Sequence, residues 1–167
     1  MDISITRTTS PKRKPAANEL GFGKYFTDHM FLMNYSSEKG WYDPRIVPFG
    51  PMPMHPASTV FHYGAEVFEG MKAYRFPDGS VHLFRPDMNA KRINRSAERI
   101  RIPQIPEEMF IEAVNALVSI DSDWVPSEPG TSLYIRPFLF GNDETLGIHT
   151  IHHGVFCIIL SPVGSYY

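Results

Sequence analysis

Two apolar runs, SLYIRPFLF (132–140) and VFCIILSPV (155–163), constrain what this chain can fold into more than any other feature. Neither alternates cleanly between apolar and polar positions, so both read as buried strands rather than as strands with one wet face. Buried strands need cover. With 43% hydrophobic and 13% aromatic residues over 167 positions, the chain is long and apolar enough to build one sizeable core around them. Arg136 interrupts the first run, where an unpaired guanidinium would be costly to bury. It is expected to reach solvent, a carboxylate or a ligand, and at this point a structural salt bridge and a substrate contact are both open.

The remaining patterns supply the cover. YFTDHMFLMNYS (25–36) and the stretch Trp41 to Phe49 follow one another across Lys39-Gly40 and predict two strands joined by a turn. GPMPMHP (50–56) holds three prolines and cannot keep a ladder, so it is a connector. Tyr63 to Gly70 predicts a short helix or turn closed by Gly70, followed by a strand MKAYRF. Asp78-Gly79 then turns the chain into VHLF, a hairpin signal. Met88, Ile93, Ala97 and Ile100 predict a helix after Pro86 that Pro103 stops, and pairs repeating from Met109 to Val118 predict a second helix after Pro106. The expected fold is α+β, a mostly antiparallel sheet packed with two main helices. Residues 1–18 carry Arg7, Lys12, Arg13 and Lys14 among Ser, Thr and Pro and read as a mobile arm, leaving 19–167 as the domain.

Several functions are disfavoured by composition. The formal net charge is -2 with both signs dispersed, so nucleic acid is not an expected partner. One cysteine, Cys157, allows neither a disulfide framework nor a zinc site and fits a reducing cytoplasm. No apolar run approaches the roughly 20 residues of a membrane helix, so a soluble protein is expected. His149, His152 and His153 come nearest to a metal cluster, but their spacing is loose and no acidic partner is close in sequence, so a solvated loop and no metal are expected. Asp121, Asp123, Asp143 and Glu144 fall in loops, where capping and turn roles are expected. Arg92, Arg95 and Arg99 share one face of the first helix and are placed either to meet an anion or to face solvent.

Six stretches decide between these readings: FTDHM (26–30), HPAS (55–58), HYGAEVFEGMKAY (62–74), LFRPDMNAKRINRSAERI (83–100), DWVP (123–126) and GTSLYIRPFLFGNDETLG (130–147). In this order they resemble the branched-chain amino acid aminotransferases, almost continuously from Phe22 to Tyr167. The resemblance implies the smaller N-terminal domain of a fold-type IV enzyme that uses pyridoxal 5'-phosphate to move the amino group of leucine, isoleucine or valine to 2-oxoglutarate. By the same resemblance Arg92 contacts the cofactor phosphate. Phe22, Tyr63 and Phe68 line the substrate pocket, Tyr134 and Arg136 stand at it, and Leu146 and Ile148 reach the active site of the neighbouring subunit in a homodimer. The implied partners are amino acid and 2-oxo acid substrates and the C-terminal domain of the same enzyme.

That family carries its Schiff-base lysine in the second domain, and none of Lys12, Lys14, Lys24, Lys39, Lys72 or Lys91 sits in a matching context. Lys72 in GMKAY corresponds to a lysine the family has beside the catalytic one, not in its place. No catalytic residue is therefore assigned here, and the chain alone is expected to be inactive. Its last residues, PVGSYY, follow a buried-type strand directly, which leads to the expectation of a truncation. D-amino-acid aminotransferase and aminodeoxychorismate lyase share the layout, and a non-catalytic binding domain is the reading from another class. The long match at 130–147 favours the branched-chain group.

Overall fold

A computed structural model of the chain describes residues 1–164, so the expectation attached to the final residues lies partly outside the described ones. The strands are β1 (Ser4–Ile5), β2 (His29–Ser36), β3 (Gly40–Pro48), β4 (Glu66–Phe68), β5 (Met71–Arg75), β6 (Val81–Leu83), β7 (Ser132–Gly141) and β8 (His153–Val163). The helices are α1 (Thr59–Tyr63), α2 (Pro86–Arg99) and α3 (Glu107–Ile120). All strands join one sheet in the order β1-β3-β2-β8-β7-β5-β6, with β4 also on β7. Every pairing is antiparallel except that of β1 with β3. The apolar runs 132–140 and 155–163 fall in β7 and β8, paired with each other so that Ile135 faces Leu160.

Side-chain alternation divides the sheet into two faces. Leu133, Ile135 and Leu139 of β7 and Phe156, Ile158 and Leu160 of β8 pack with Ala90, Ile93 and Ala97 of α2 and with Phe110, Ala113, Val114 and Leu117 of α3. This is the main core, and truncating a fully buried ring such as Phe110 to alanine would cost about 3–5 kcal/mol. The opposite face has a smaller cluster, in which Met30, Leu32 and Cys157 are buried and Phe138, Val155 and Ile159 pack against them. Among the described residues, no helix contributes a side chain to that second cluster. The near-continuous apolar character of β7 and β8 follows from having cores on both sides.

The structure moves one expected element. The short helix foreseen within Tyr63 to Gly70 lies upstream at Thr59–Tyr63 and is ended by Gly64 in the left-handed region, φ 59°. Residues 66–68 instead form β4, because β7 offers them an unpaired edge, with Phe68 opposite Phe138.

The segment read as a mobile arm lies along the sheet in the structure. Ser4 and Ile5 pair with Arg45 and Ile46, the Met1 amino group meets the Glu112 carboxylate at 2.7 Å, and the Thr8 N–H donates to His29 Nε2 at 2.9 Å. Low apolar content conceals such tethering, since it is made of backbone hydrogen bonds and ion pairs. Asp121 also departs from a simple loop role, for it is buried and paired with His29. Among the described residues, no helix is long and apolar enough to cross a membrane.

Candidate functional site

The site begins with β7, whose alternation sends Tyr134, Arg136 and Phe138 to the face without helices. There the Tyr134 hydroxyl accepts hydrogen bonds from Arg136 Nη2 at 2.8 Å and Nε at 3.3 Å. The Arg136 Cζ sits 4.4 Å from the centroid of the Phe68 ring and 5.3 Å from that of Tyr134, within cation–π range of both. Phe22 meets Tyr134 edge-on with centroids 4.9 Å apart. Four residues from three distant parts of the sequence thus make one patch. No carboxylate pairs with Arg136 among the described residues, so its half-buried guanidinium is held by the rings of Phe68 and Tyr134 and by the Tyr134 hydroxyl. Of the two roles left open for it, a structural salt bridge is not the one observed.

A proline in β7 shapes the neighbouring edge. β4 and β5 run along β7 in one continuous register, Phe68 opposite Phe138 and Met71 opposite Ile135, yet they are separate strands. Pro137 has no N–H to donate at that point, so the ladder opens while the Glu69 N–H still donates to the Pro137 carbonyl at 2.8 Å. In the gap Glu69 turns toward the helix side. Its Oε1 lies 2.5 Å from Arg92 Nε and its Oε2 2.7 Å from Arg92 Nη2, a bidentate pair. Asn89 Nδ2 donates to the same Oε2 at 2.8 Å and the Gly70 N–H at 3.3 Å. Burial opposes the ionisation of Glu69, but the hydrogen bonds from Arg92 and Asn89 and the guanidinium charge outweigh it. The carboxyl is held below its usual range.

Gly70 completes the junction: a Cβ there would run into the Tyr134 hydroxyl, so the close approach requires glycine. Phe68 touches Arg136, Glu69 grips Arg92, and Gly70 lies under Tyr134. Arg92 stands on the helix side of the sheet and Arg136 on the other. They flank one edge, at which no further strand pairs with residues 66–72 among the described residues, since β6 pairs with residues 73–75 of β5.

The other expected site residues are not brought to this edge. The Tyr63 hydroxyl accepts the Gly147 N–H at 2.6 Å, and Tyr63 and Ile148 line a separate hollow of about 320 Å³ with Gly64, Ile100 and Ile151. Leu146 is exposed in the same loop, and Ile148 is 93% exposed. Arg95 and Arg99 are exposed on α2 and take no part in the arrangement. His149 and His152 stack with each other, while His153 turns Nδ1 to the buried carboxylate of Asp143 at 3.1 Å. Phe22, Tyr63, Phe68, Leu146 and Ile148 all expose large apolar or aromatic side chains.

Glu69 and Asn89 were not singled out from the sequence, and Gly70 only as the end of a short helix or turn. The available signal was a carboxylate and a glycine wedged between apolar Phe68 and Met71, with Asn89 and Arg92 one helical turn apart.

Comparison with known proteins gives a consistent family. The chain is 54% identical over 165 residues to branched-chain-amino-acid transaminase 1 of Bacillus subtilis, covering 99% of this chain and 46% of that protein. It is 40% identical over 172 residues to the branched-chain-amino-acid aminotransferase of Mycolicibacterium smegmatis, covering 100% of this chain and 47% of that one. No protein-family model matches. Among solved structures, a branched-chain aminotransferase from Thermoproteus uzoniensis with norvaline superposes with a TM-score of 0.64 at 24% identity, over 81% of this chain and 41% of that one, which bears on the fold alone. A second branched-chain amino acid aminotransferase, complexed with N-(5'-phosphopyridoxyl)-L-glutamate, superposes with a TM-score of 0.57 at 25% identity, over 77% of this chain and 39% of that one. In sequence and in fold, then, this chain is a homologue of the branched-chain aminotransferases and spans about half the length of the curated relatives it matches.

Proposed function

We propose that this chain forms the phosphate-gripping and substrate-walling part of an aminotransferase that uses pyridoxal 5'-phosphate and moves the amino group of leucine, isoleucine or valine to 2-oxoglutarate. One observation carries the reading: Arg92 and Arg136 flank one strand edge, with the exposed ring of Phe68 beside Arg136 and that of Phe22 against Tyr134. Arg92 fits a phosphate chemically. Glu69 engages only its Nε and Nη2, and the side chain is 59% exposed, so guanidinium N–H groups remain for a dianion.

Each residue then has a task. Arg136, aligned by the Tyr134 hydroxyl, presents its fork to a substrate carboxylate and so orients the amino acid. Phe22 and Phe68 exclude water from an aliphatic side chain without leaving polar groups unsatisfied. Bound at Arg92, pyridoxal phosphate would supply the electron sink for loss of the Cα proton. The residues gathered at the edge hold and shape, and the proton carrier is a lysine of a second domain outside this chain. Lys72, opposite Tyr134 in the ladder, stays beside the pocket in this reading. Tyr63 and Ile148 line a separate hollow, and the loop that carries Leu146 and Ile148 reaches the active site of the neighbouring subunit of a homodimer. A cytoplasmic location fits the single buried thiol.

The test is a substrate panel on the full-length protein, followed by borohydride reduction of the cofactor-loaded enzyme and peptide mapping. Transfer from L-leucine, L-isoleucine or L-valine to 2-oxoglutarate, with the reduced cofactor on a lysine outside these 167 residues, is expected. A preference for D-amino acids, or the label on Lys72, would overturn it.

A further inference from the structure

We infer that Glu69 is a positioning residue for phosphate binding: it clamps one edge of the Arg92 guanidinium so that the rest of the fork is presented to the phosphate. This rests on the reading of Arg92 given above. The pair is strongly asymmetric, since the Glu69 side chain is 4% exposed and that of Arg92 is 59% exposed. An ion pair that served only to join β4 to α2 would have no need to leave one partner at the surface. Glu69 cannot turn away to solvent, because its N–H is fixed on the Pro137 carbonyl and its Oε2 also receives Asn89 and the Gly70 N–H. Arginine has a long, flexible stem, and a bidentate grip from an immobile carboxylate removes most of its rotational freedom before the ligand arrives.

Charge and geometry make opposite demands here, which gives the inference its edge. A carboxylate beside the phosphate-binding guanidinium cancels its net charge, so by long-range attraction alone Glu69 should weaken anion binding. If it positions Arg92, it should strengthen binding instead. Removing the charge while keeping the shape, as in Glu69→Gln, separates the two.

The experiment measures dissociation constants of pyridoxal phosphate and of pyridoxal, which lacks the phosphate, by fluorescence quenching. It uses the full-length protein and its Glu69→Gln, Glu69→Asp, Arg92→Ala and Glu69→Gln/Arg92→Ala variants. Glu69→Gln is expected to weaken pyridoxal phosphate about tenfold, the loss of one charge-assisted hydrogen bond, and to leave pyridoxal unchanged. The double variant should bind no more weakly than Arg92→Ala, because Glu69 acts only through Arg92. Glu69→Asp keeps the charge but withdraws the oxygens from the guanidinium, and it should show the same phosphate-specific loss if Glu69→Gln fails to fold. Tighter or unchanged phosphate binding in Glu69→Gln while Arg92→Ala binds weakly overturns the role of Glu69 alone, as do equal losses for the two ligands. Unchanged binding in Arg92→Ala overturns the assignment of Arg92 and this inference with it.

Discussion

His29 Nδ1 lies 2.6 Å from Asp121 Oδ1, and the His29 N–H donates to Asp121 Oδ2 at 3.0 Å, so a two-point contact in the interior ties the start of β2 to the end of α3. Because His29 Nε2 accepts the Thr8 N–H, the ring proton belongs on Nδ1, where it is donated to the carboxylate. Asp121→Ala leaves two buried donors without an acceptor. A loss of about 3 kcal/mol in a denaturant titration is expected, with Asp121→Asn losing less because it retains one acceptor. Limited proteolysis should also show earlier cutting within residues 6–12, since His29 holds that segment through Thr8.

The Glu69 and Arg92 pair gives stability a definite dependence on acid. The carboxyl is lowered from 4.5 in the folded chain, so its contribution is complete above 4.5 and is lost as the pH falls through the depressed folded-state value. The difference in melting temperature between wild type and Glu69→Gln should therefore be constant above 4.5 and shrink below it. A difference that grows on acidification would contradict the pairing.

Gly70→Ala places a methyl group where the Tyr134 hydroxyl now sits. The tyrosine must shift, taking with it the acceptor of Arg136. A destabilisation of about 1–3 kcal/mol is expected, together with weaker binding of the amino acid substrate in the full-length protein. Adding Tyr134→Phe to Gly70→Ala should recover part of the stability, by removing the clashing oxygen, but not the substrate affinity.

Cys157 is buried between Phe138 of β7 and Leu32 of β2, its ladder partners, and burial pushes its thiol up to about 12. Little thiolate exists near neutrality, so the native chain should resist a disulfide reagent at about pH 8 and react stoichiometrically once denatured. Rapid labelling of the folded protein would show that the cluster on the helix-free face is open.

The amino-acid order alone determines whatever local periodicity or turn chemistry dictates. α3 was legible because Phe110, Val114 and Leu117 repeat at helical spacing, the β5–β6 hairpin because Asp78-Gly79 admits a tight turn, and β7 and β8 because both of their faces are apolar. β4 was not, since Glu66–Phe68 has no strand-forming pattern of its own and is extended only because β7 presents an edge to it. The contacts of the N-terminal segment were not legible for a related reason, as they are made with Arg45, Ile46, His29 and Glu112, none of them near it in sequence.

The candidate site divides in the same way. The residues alone, through their likeness to a family, named Arg92, Phe22, Tyr63, Phe68, Tyr134, Arg136, Leu146 and Ile148 as a set, and their chemistry as guanidinium forks and apolar walls. Only the tertiary structure decided that the two arginines flank an edge from opposite sides, that a ladder opened by Pro137 turns Glu69 onto Arg92, and that Tyr63 and Ile148 belong to another hollow. Residue type is a local property and can be read one position at a time, whereas an ion pair between Glu69 and Arg92 exists only once a sheet edge and a helix have been packed side by side.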